Sequence, residues 1–299
     1  MSTIESGTPP EMALGRLVDF IERHAPLCVV TGAGVSTDSG IPDYRDDQGG
    51  WKRPPPMTHQ VYMGSLAGRK RYWARSLVGF RLLSNAQPGP AHQALATLER
   101  RGLIEGLITQ NVDRLHQKAG SRRVVDLHGR ADLVRCMSCQ LLVRRSALHD
   151  HLGTLNPAWL GMGAEVAPDG DAYLDEVDFS SFVLPECPRC GEGILKPDVV
   201  FFGDNVPRPR LERAMQMLEK SRALLVVGSS LMVFSGFRFA RHAAARGQPI
   251  ACINRGRTRA DDLFTLKVDD PIDRTLAALC LELETRSAFD RRSGPASQP

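Results

Sequence analysis

Short apolar runs of strand length alternate with amphipathic stretches of helical period along most of the chain. The apolar runs cover residues 27–31, 106–109, 124–127, 223–227, 249–253 and 263–268. The helical stretches cover residues 12–24, 91–101, 113–119, 208–220 and 237–246. Because consecutive parallel strands need a crossover that is usually a helix, this alternation predicts an α/β fold with a doubly wound parallel sheet.

Two stretches break the alternation. Residues 46–62 are rich in Gly, Pro and Asp and predict a mobile loop that leads into a helix at 69–82, and residues 135–192 show little sheet periodicity. We expect these insertions to pack together as a small second domain. The predicted large domain then takes residues 12–54, 88–134 and 193–285, the small domain takes 55–87 and 135–192, and residues 286–299 form a disordered tail.

Composition argues against several classes of protein. No apolar run of the 299-residue chain reaches the roughly 18 to 20 residues of a membrane span. The net charge of +4 comes from basic residues spread along the chain, without the basic stripe of a nucleic-acid-binding protein. Seven cysteines are too few for a disulfide scaffold of this length, so we expect a reducing, cytoplasmic location, with Cys28, Cys252 and Cys280 as small buried hydrophobes.

The other four cysteines form two CxxC pairs, Cys136 with Cys139 and Cys187 with Cys190. Each CxxC turn can present two thiolates to one tetrahedral ion, which is the pattern of a zinc ribbon. Four thiolates leave no open coordination position, so the predicted zinc is structural. Redox-active dithiols and isolated core cysteines are the alternatives.

A glycine turn, made by Gly32, Ala33 and Gly34, follows the first apolar run, and Ser36 and Asp38 then signal a helix start. Backbone N–H groups at such a turn can bind a diphosphate. The turn departs from the dinucleotide fingerprint GxGxxG, since a threonine stands where the third glycine should be. A nucleotide site and a plain tight turn both fit the pattern, whereas a hydride-transferring dehydrogenase is disfavoured.

Polar clusters also follow later strand-length runs. They are residues 110–113, His128, residues 228–230 and residues 254–256. The carboxyl ends of parallel strands are where doubly wound sheets bind ligands, so the clusters together predict one site. A single histidine at a strand end is more often a hydrogen-bonded structural residue, and only the other clusters make His128 a candidate base.

These motifs, in this order, resemble the sirtuin family. The resemblance rests on residues 32–45, 109–116, 127–129, 196–203 and 228–231 and on the four paired cysteines, and it covers about residues 15–280. It implies a Rossmann-like, deoxyhypusine synthase-like NAD-binding fold with a small zinc-binding and helical domain. Tyr44 and residues 156–157, 167–171 and 199–204 resemble the class II branch, typified by the mitochondrial sirtuin 4 type, and the missing presequence points to a bacterial or cytosolic relative.

The resemblance implies an NAD-dependent protein-lysine deacylase. The acyl-lysine amide oxygen would attack the nicotinamide ribose, nicotinamide would leave, and the products would be free lysine, nicotinamide and 2′-O-acyl-ADP-ribose. His128, as general base on the ribose hydroxyls, and Asn111 are the implied catalytic residues. The implied NAD-binding residues are Gly32, Ala33, Gly34, Ser36, Asp43, Tyr44, Arg45, Trp51, Gln110, Asn111, Val112, Asp113, Gly228, Ser229, Ser230, Asn254, Arg255, Gly256 and Ile272. The implied contacts of the acyl-lysine peptide, which would lie as an added strand, are Val199, Phe201, Gly203, Leu231, Met232 and Val233.

Alternatives remain for the acyl group and for the reaction. Tyr72 and Arg75 share a helix face, and in sirtuins that remove acidic acyl groups such a pair holds the distal carboxylate. This predicts an acyl group longer or more polar than acetyl, against the alternative of an exposed basic helix face. A protein mono-ADP-ribosyltransferase could use the same NAD site, and a non-catalytic module that binds NAD or acyl-lysine is a third hypothesis. The sequence does not indicate the oligomeric state.

Overall fold

The computed structural model of the protein describes residues 10–163, 165, 170–174 and 177–293. Its strands, in chain order, are β1 (Leu27–Thr31), β2 (Ile104–Thr109), β3 (Val124–Asp126), β4 (Gly129–Cys136), β5 (Leu142–Arg144), β6 (Leu195–Val199), β7 (Ala223–Val227), β8 (Ile250–Ile253) and β9 (Leu266–Val268). Its α-helices are α1 (Pro10–His24), α2 (His59–Gly64), α3 (Leu66–Asn85), α4 (Pro90–Arg100), α5 (Leu115–Lys118), α6 (Arg145–Leu155), α7 (Arg208–Lys220), α8 (Phe234–Ala245) and α9 (Ile272–Ser293).

The large sheet has six parallel strands in the order β3-β2-β1-β7-β8-β9. From β1 the chain moves outward to β2 and β3, and it then returns to β7 on the other side of β1. The strand order therefore reverses between β1 and β7. In doubly wound sheets this reversal opens a crevice at the carboxyl ends of the two strands, and ligands bind there.

Different helices cover the two faces of this sheet. Val29 of β1 packs in a core with Leu17 of α1, and the next residue, Val30, packs in a second core with Phe239 of α8. Successive side chains of a strand point to opposite faces, so a run that is apolar throughout is buried on both. The structure confirms the α/β, doubly wound fold that the sequence predicts.

The small domain combines an antiparallel sheet, in the order β5-β4-β6, with α3 and α6. Trp73 of α3, Leu152 of α6 and Phe182 are buried in one core. The two sequence insertions therefore pack on each other. Their boundaries, as drawn from the sequence, stay a prediction.

The structure differs from the sequence pattern at several places. Ser36 and Asp38 do not open an α-helix but lie in a 3-10 turn, Ala33–Ser39, because the Ser36 hydroxyl donates to Asp113 and does not cap a helix. Residues 135–192 contain α6 and the short β5. The helix α9 continues to Ser293, so the expected disordered tail is wrong for residues 286–293, and residues 294–299 lie outside the described residues.

No helix in the described part of the chain combines the length and the apolar character that crossing a bilayer requires.

Candidate active site

A cavity of about 860 Å³ opens at the carboxyl ends of β1 and β7. This volume lies in the upper part of the range of small-molecule sites. The sequence-predicted residues that line it are Gly32, Ala33, Gly34, Asp43, Tyr44, Arg45, Trp51, Gln110, Asn111, Val112, His128, Val199, Phe201, Gly203, Gly228, Ser229, Ser230, Leu231, Met232, Val233, Asn254, Arg255 and Ile272. The sequence-predicted residues that do not line it are Ser36, Asp113, Gly256, Tyr72 and Arg75.

The glycine turns after β1 and β7 lie against each other. A Cβ on Gly34 would be only 3.0 Å from the Cα of Gly228. Gly228 itself has a φ of 60°, which residues other than glycine rarely adopt. The N–H of Gly34 donates to the Gly228 carbonyl (3.0 Å), and the N–H of Gly32 donates to the Val227 carbonyl (3.3 Å). These two N–H groups are therefore not free for a diphosphate, contrary to the expectation from sequence. The glycines instead give a cavity wall without side chains, which fits the close approach of a dinucleotide.

An amide network follows β2. The side-chain amide of Asn111 donates to the Gly32 carbonyl and to the Ser36 hydroxyl, both at 3.0 Å, and Ser36 donates to Asp113 at 2.8 Å. Ser36 and Asp113 therefore act behind the cavity wall, where they fix the orientation of Asn111. The amide of Gln110 donates to Ser229 at 2.8 Å and so joins the turns after β2 and β7.

His128 lies between β3 and β4, and its two ring nitrogens have different partners. Nδ1 lies 3.0 Å from the carbonyl of Gln110, and Nε2 lies 2.7 Å from the hydroxyl of Ser235. A carbonyl only accepts, so Nδ1 carries the proton and Nε2 accepts from Ser235. Burial lowers the pKa of His128 to about 4. The ring is therefore neutral at pH 7, with its unprotonated nitrogen on the cavity side where Ser235 lies.

Sequence reasoning missed several residues that line the cavity. Ser235 and Arg238 belong to the first turns of α8. Asp38 and Asp273 also line it, and burial, followed by the hydrogen bond with Asp38, raises the pKa of Asp273 to about 6. No motif distinguishes these side chains from an ordinary helix start.

The loop after the 3-10 turn places charges on the cavity wall. The Arg45 guanidinium lies 4.0 Å from the centroid of the Trp51 ring and donates to the Gly49 carbonyl at 2.7 Å. Lys52 pairs with Asp43 at 2.5 Å. An exposed ion pair of this kind contributes little stability, so the conformation of the loop depends more on the contacts of Arg45.

Gly256 supports this loop from the other side. A Cβ on Gly256 would lie 2.2 Å from the backbone oxygen of Asp47, and the φ of Gly256 is 72°. Glycine is therefore required for the contact between the two segments. Arg255 adds an ion pair with Asp47 at 3.3 Å.

Tyr72 and Arg75 belong to α3 of the small domain and do not line the cavity. Arg75 donates through Nε to the carbonyl of Ala172 at 2.7 Å, and its guanidinium lies 5.8 Å from the ring centroid of Tyr173. The Tyr72 ring packs 5.4 Å from that of Phe201. Phe201 lines the cavity, whereas Tyr72 and Arg75 do not, so Tyr72 adjoins the site only through its contact with Phe201.

The four paired cysteines converge at one point of the small domain. Their sulfur atoms all lie within 4.8 Å of one another, with 3.6 Å between Cys136 and Cys190 and 3.7 Å between Cys139 and Cys187. A tetrahedral zinc ion with Zn–S bonds of about 2.3 Å separates its sulfur ligands by about 3.8 Å. A Cβ on Gly193 would lie only 2.0 Å from the Cys136 sulfur, so the chain leaves room there for nothing larger than glycine. The cluster fits structural zinc.

A doubly wound sheet, a cavity at its reversal point and a neutral histidine on the cavity wall are features of an α/β enzyme that binds its ligand at the carboxyl ends of the strands. Comparison with known proteins then identifies the family of this enzyme. The model of the Sir2 family matches residues 32–235.

Similar proteins and similar solved structures agree with the match to the Sir2 family. The NAD-dependent protein deacetylase of Xanthomonas axonopodis pv. citri (strain 306) is 61% identical over 263 residues, which are 88% of this chain and 89% of the relative. NAD-dependent protein deacetylase 2 of Bradyrhizobium diazoefficiens is 58% identical, over 88% of this chain and 96% of the relative. A solved complex, Sir2-p53 peptide-NAD+, has a TM-score of 0.73 at 27% identity and covers 91% of this chain and 99% of that chain. Sir2 bound to acetylated peptide has a TM-score of 0.71 at 26% identity, over 90% and 98% of the two chains.

The chain belongs to the Sir2 family, as the sequence resemblance implies. Its assignment to the class II branch stays a prediction.

Proposed function

We propose that the protein removes acyl groups from lysine side chains of other proteins, with NAD as co-substrate and His128 as the base. The observation that carries the proposal is the neutral His128 ring, whose Nε2 is free of a proton and lies beside the cavity. The activity of relatives at 57% to 61% identity, each an NAD-dependent protein deacetylase, supports it. Bound NAD supplies the electrophilic ribose carbon, the nicotinamide leaving group and the hydroxyl that receives the acyl group.

His128 takes a proton from that ribose hydroxyl. To do so, its Nε2 must exchange the hydrogen bond from Ser235 for one from the hydroxyl of the bound ribose. Its pKa of about 4 favours the base form at neutral pH, although a weakly basic nitrogen transfers protons less readily. The Gln110 carbonyl, which accepts from Nδ1, stabilises the positive charge that the ring carries once it has taken the proton.

Asn111 and Gln110 position the co-substrate. Both line the cavity, and the contacts of Asn111 with Gly32 and Ser36 fix its side chain before any ligand arrives. A preorganised amide loses little entropy when it binds a ribose hydroxyl or a carboxamide. We assign Asn111 the second catalytic role on this basis.

The acyl-lysine peptide takes the opposite side of the cavity. Phe201 and Gly203 line it from one segment, and Leu231, Met232 and Val233 line it from another. An extended peptide between two such segments gains backbone hydrogen bonds that need little side-chain specificity. A neighbour of the same fold is a Sir2 protein bound to acetylated peptide, which supports this placement. The preference for an acyl group longer than acetyl stays a prediction, and its carboxylate clamp at Tyr72 and Arg75 has no support from the cavity lining.

The decisive assay incubates the purified protein with NAD and a panel of acyl-lysine peptides and identifies every ADP-ribose product by mass. We expect free nicotinamide, deacylated peptide and acyl-ADP-ribose in equal amounts. ADP-ribose attached to the peptide or to the enzyme, with the acyl-lysine intact, would instead establish the ADP-ribosyltransferase. Binding of NAD and peptide without any product would establish the non-catalytic module.

A further inference from the structure

Three arginines surround one exposed aromatic ring at the edge of the cavity. Phe234, the first residue of α8, lines the cavity and is 45% exposed. The guanidinium carbons of Arg238, Arg241 and Arg259 lie 5.1, 5.5 and 5.9 Å from its ring centroid. We name these three arginines the arginine rim.

The arginine rim has no acidic partner among the residues that the structure describes. No carboxylate there lies within 4.0 Å of any of the three guanidinium groups. Arg259 donates to the carbonyl of Met232 at 3.1 Å, and Nε of Arg238 is buried without an acceptor in this part of the chain. Two acidic side chains of neighbouring segments have cationic partners elsewhere, since Asp204 lies 3.9 Å from the Lys196 ammonium and Asp261 pairs with Lys267.

Three neighbouring cations repel one another, and their contacts with Phe234 and, for Arg259 at 4.6 Å, with Phe237 compensate only part of this repulsion. A carboxylate from outside the chain would reduce the repulsion by accepting hydrogen bonds from these guanidinium groups. Guanidinium groups bind carboxylates through paired N–H donors, which makes arginine better suited than lysine to this role. We therefore expect the arginine rim to bind an anionic group of a ligand.

The position of the rim identifies that ligand. Phe234 directly follows Val233, one of the residues that face the proposed peptide, and Arg238 lines the same cavity. The rim thus lies at the end of the proposed peptide path, and two of its arginines belong to the helix whose Ser235 contacts His128. It is also one compact patch, whereas a nucleic-acid site needs a longer basic track.

We propose that the arginine rim binds an acidic side chain of the substrate protein, close in sequence to the acylated lysine. The proposal rests on the proposed function for the identity of the substrate. It makes the protein a deacylase that selects lysines in acidic surroundings.

The test compares acetyl-lysine peptides that carry one Glu or one Gln at each of the two positions before and after the lysine. At low ionic strength we expect kcat/KM to favour Glu by about three- to tenfold at one position or more, with the preference falling as salt is added. In the variant Arg238→Gln/Arg241→Gln the kcat/KM values for the Glu and Gln peptides should differ by less than about twofold. Arg246→Gln, an exposed arginine at the end of the same helix and away from the cavity, should keep the parental ratio.

Titration of the same peptides without NAD measures the preference independently of turnover. The proposal is overturned if, for the unaltered protein, the Glu and Gln peptides have nearly equal kcat/KM values and nearly equal dissociation constants. It is also overturned if the double variant keeps the preference for Glu. Competition by a single-stranded oligonucleotide stronger than that by the Glu peptides would also overturn it and assign the rim to nucleic acid. A Glu preference in titration without any deacylation would leave the rim in place and reject the proposed function.

Discussion

At the scale of single residues, the chemistry depends on the protonation of one imidazole. The sequence identifies His128 as the candidate base but gives neither its tautomer nor its pKa. Both follow from partners that are distant in the chain, the carbonyl of Gln110 and the hydroxyl of Ser235. Ser235 could not be found from sequence because a serine in the first turn of a helix is common and usually serves the helix itself.

The pH dependence of activity should reflect the low pKa of His128. In the folded protein the ring stays neutral until the pH approaches its pKa of about 4, whereas an unperturbed histidine protonates near pH 6.5. Since the neutral ring is the active form, the acid limb of kcat/KM should lie well below pH 6.5. A kcat/KM profile over the pH range in which the protein stays folded measures this. An acid limb at or above pH 6.5 would show that the ring is not desolvated as described.

Replacement of Ser235 by alanine should move this limb. The serine hydroxyl donates to Nε2 and so stabilises the neutral ring, and its loss should raise the pKa of His128 by up to about one unit. The acid limb of kcat/KM should then shift to higher pH by the same amount.

Ser235→Thr keeps the hydroxyl and is the matched control, for which we expect the limb of the unaltered protein. If Ser235 were purely structural, its replacement by alanine would lower stability without shifting the acid limb of kcat/KM. An unchanged limb in Ser235→Ala would therefore remove Ser235 from any role in positioning the base.

At the scale of elements, the parallel strands were predictable because each lies in a run that is mostly apolar. The runs at 27–31 and 223–227 coincide with β1 and β7. The small antiparallel sheet was not predictable, because β4 pairs with β6, a strand far along the chain, and β5 has only three residues. Its pattern is too short for periodicity to show, and the cysteines alone indicated order in this region.

The zinc cluster gives a sharp prediction at this scale. The unaltered protein should purify with one equivalent of zinc, and Gly193→Ala should lose most of it, since the new methyl group would displace the sulfur of Cys136. Metal analysis measures the loss of zinc. The altered packing should also lower stability, and we expect the melting temperature to fall by more than about 5 °C.

Gly161→Ala is the matched control in the same domain, because a Cβ there meets nothing within 4 Å. It should retain the metal and the melting temperature of the parent. Full zinc content and unchanged stability in Gly193→Ala would contradict the packing of the cluster, and an active, metal-free protein would contradict a structural role for zinc.

At the scale of the whole molecule, the cavity lies at the reversal point of the sheet, as doubly wound topology requires. Strand-end clusters and family resemblance together anticipated most of its lining. They anticipated Arg45 and Arg255 but not Arg238, because the place of Arg238 depends on how α8 packs. Arg75 is engaged by Ala172 of the small domain, whereas Arg238 of α8 reaches the cavity.

The most direct test of the account compares His128→Ala with the unaltered protein in two measurements, acyl-ADP-ribose formation and NAD binding. The cavity wall of glycine turns and the network of Asn111 do not involve the imidazole side chain, so NAD should bind with a dissociation constant within about threefold of the parent. Loss of the proton acceptor should lower the rate of acyl-ADP-ribose formation by about 10²- to 10⁴-fold. A rate within a few-fold of the parent, in a variant that still binds NAD, would contradict the assignment of His128 as the base.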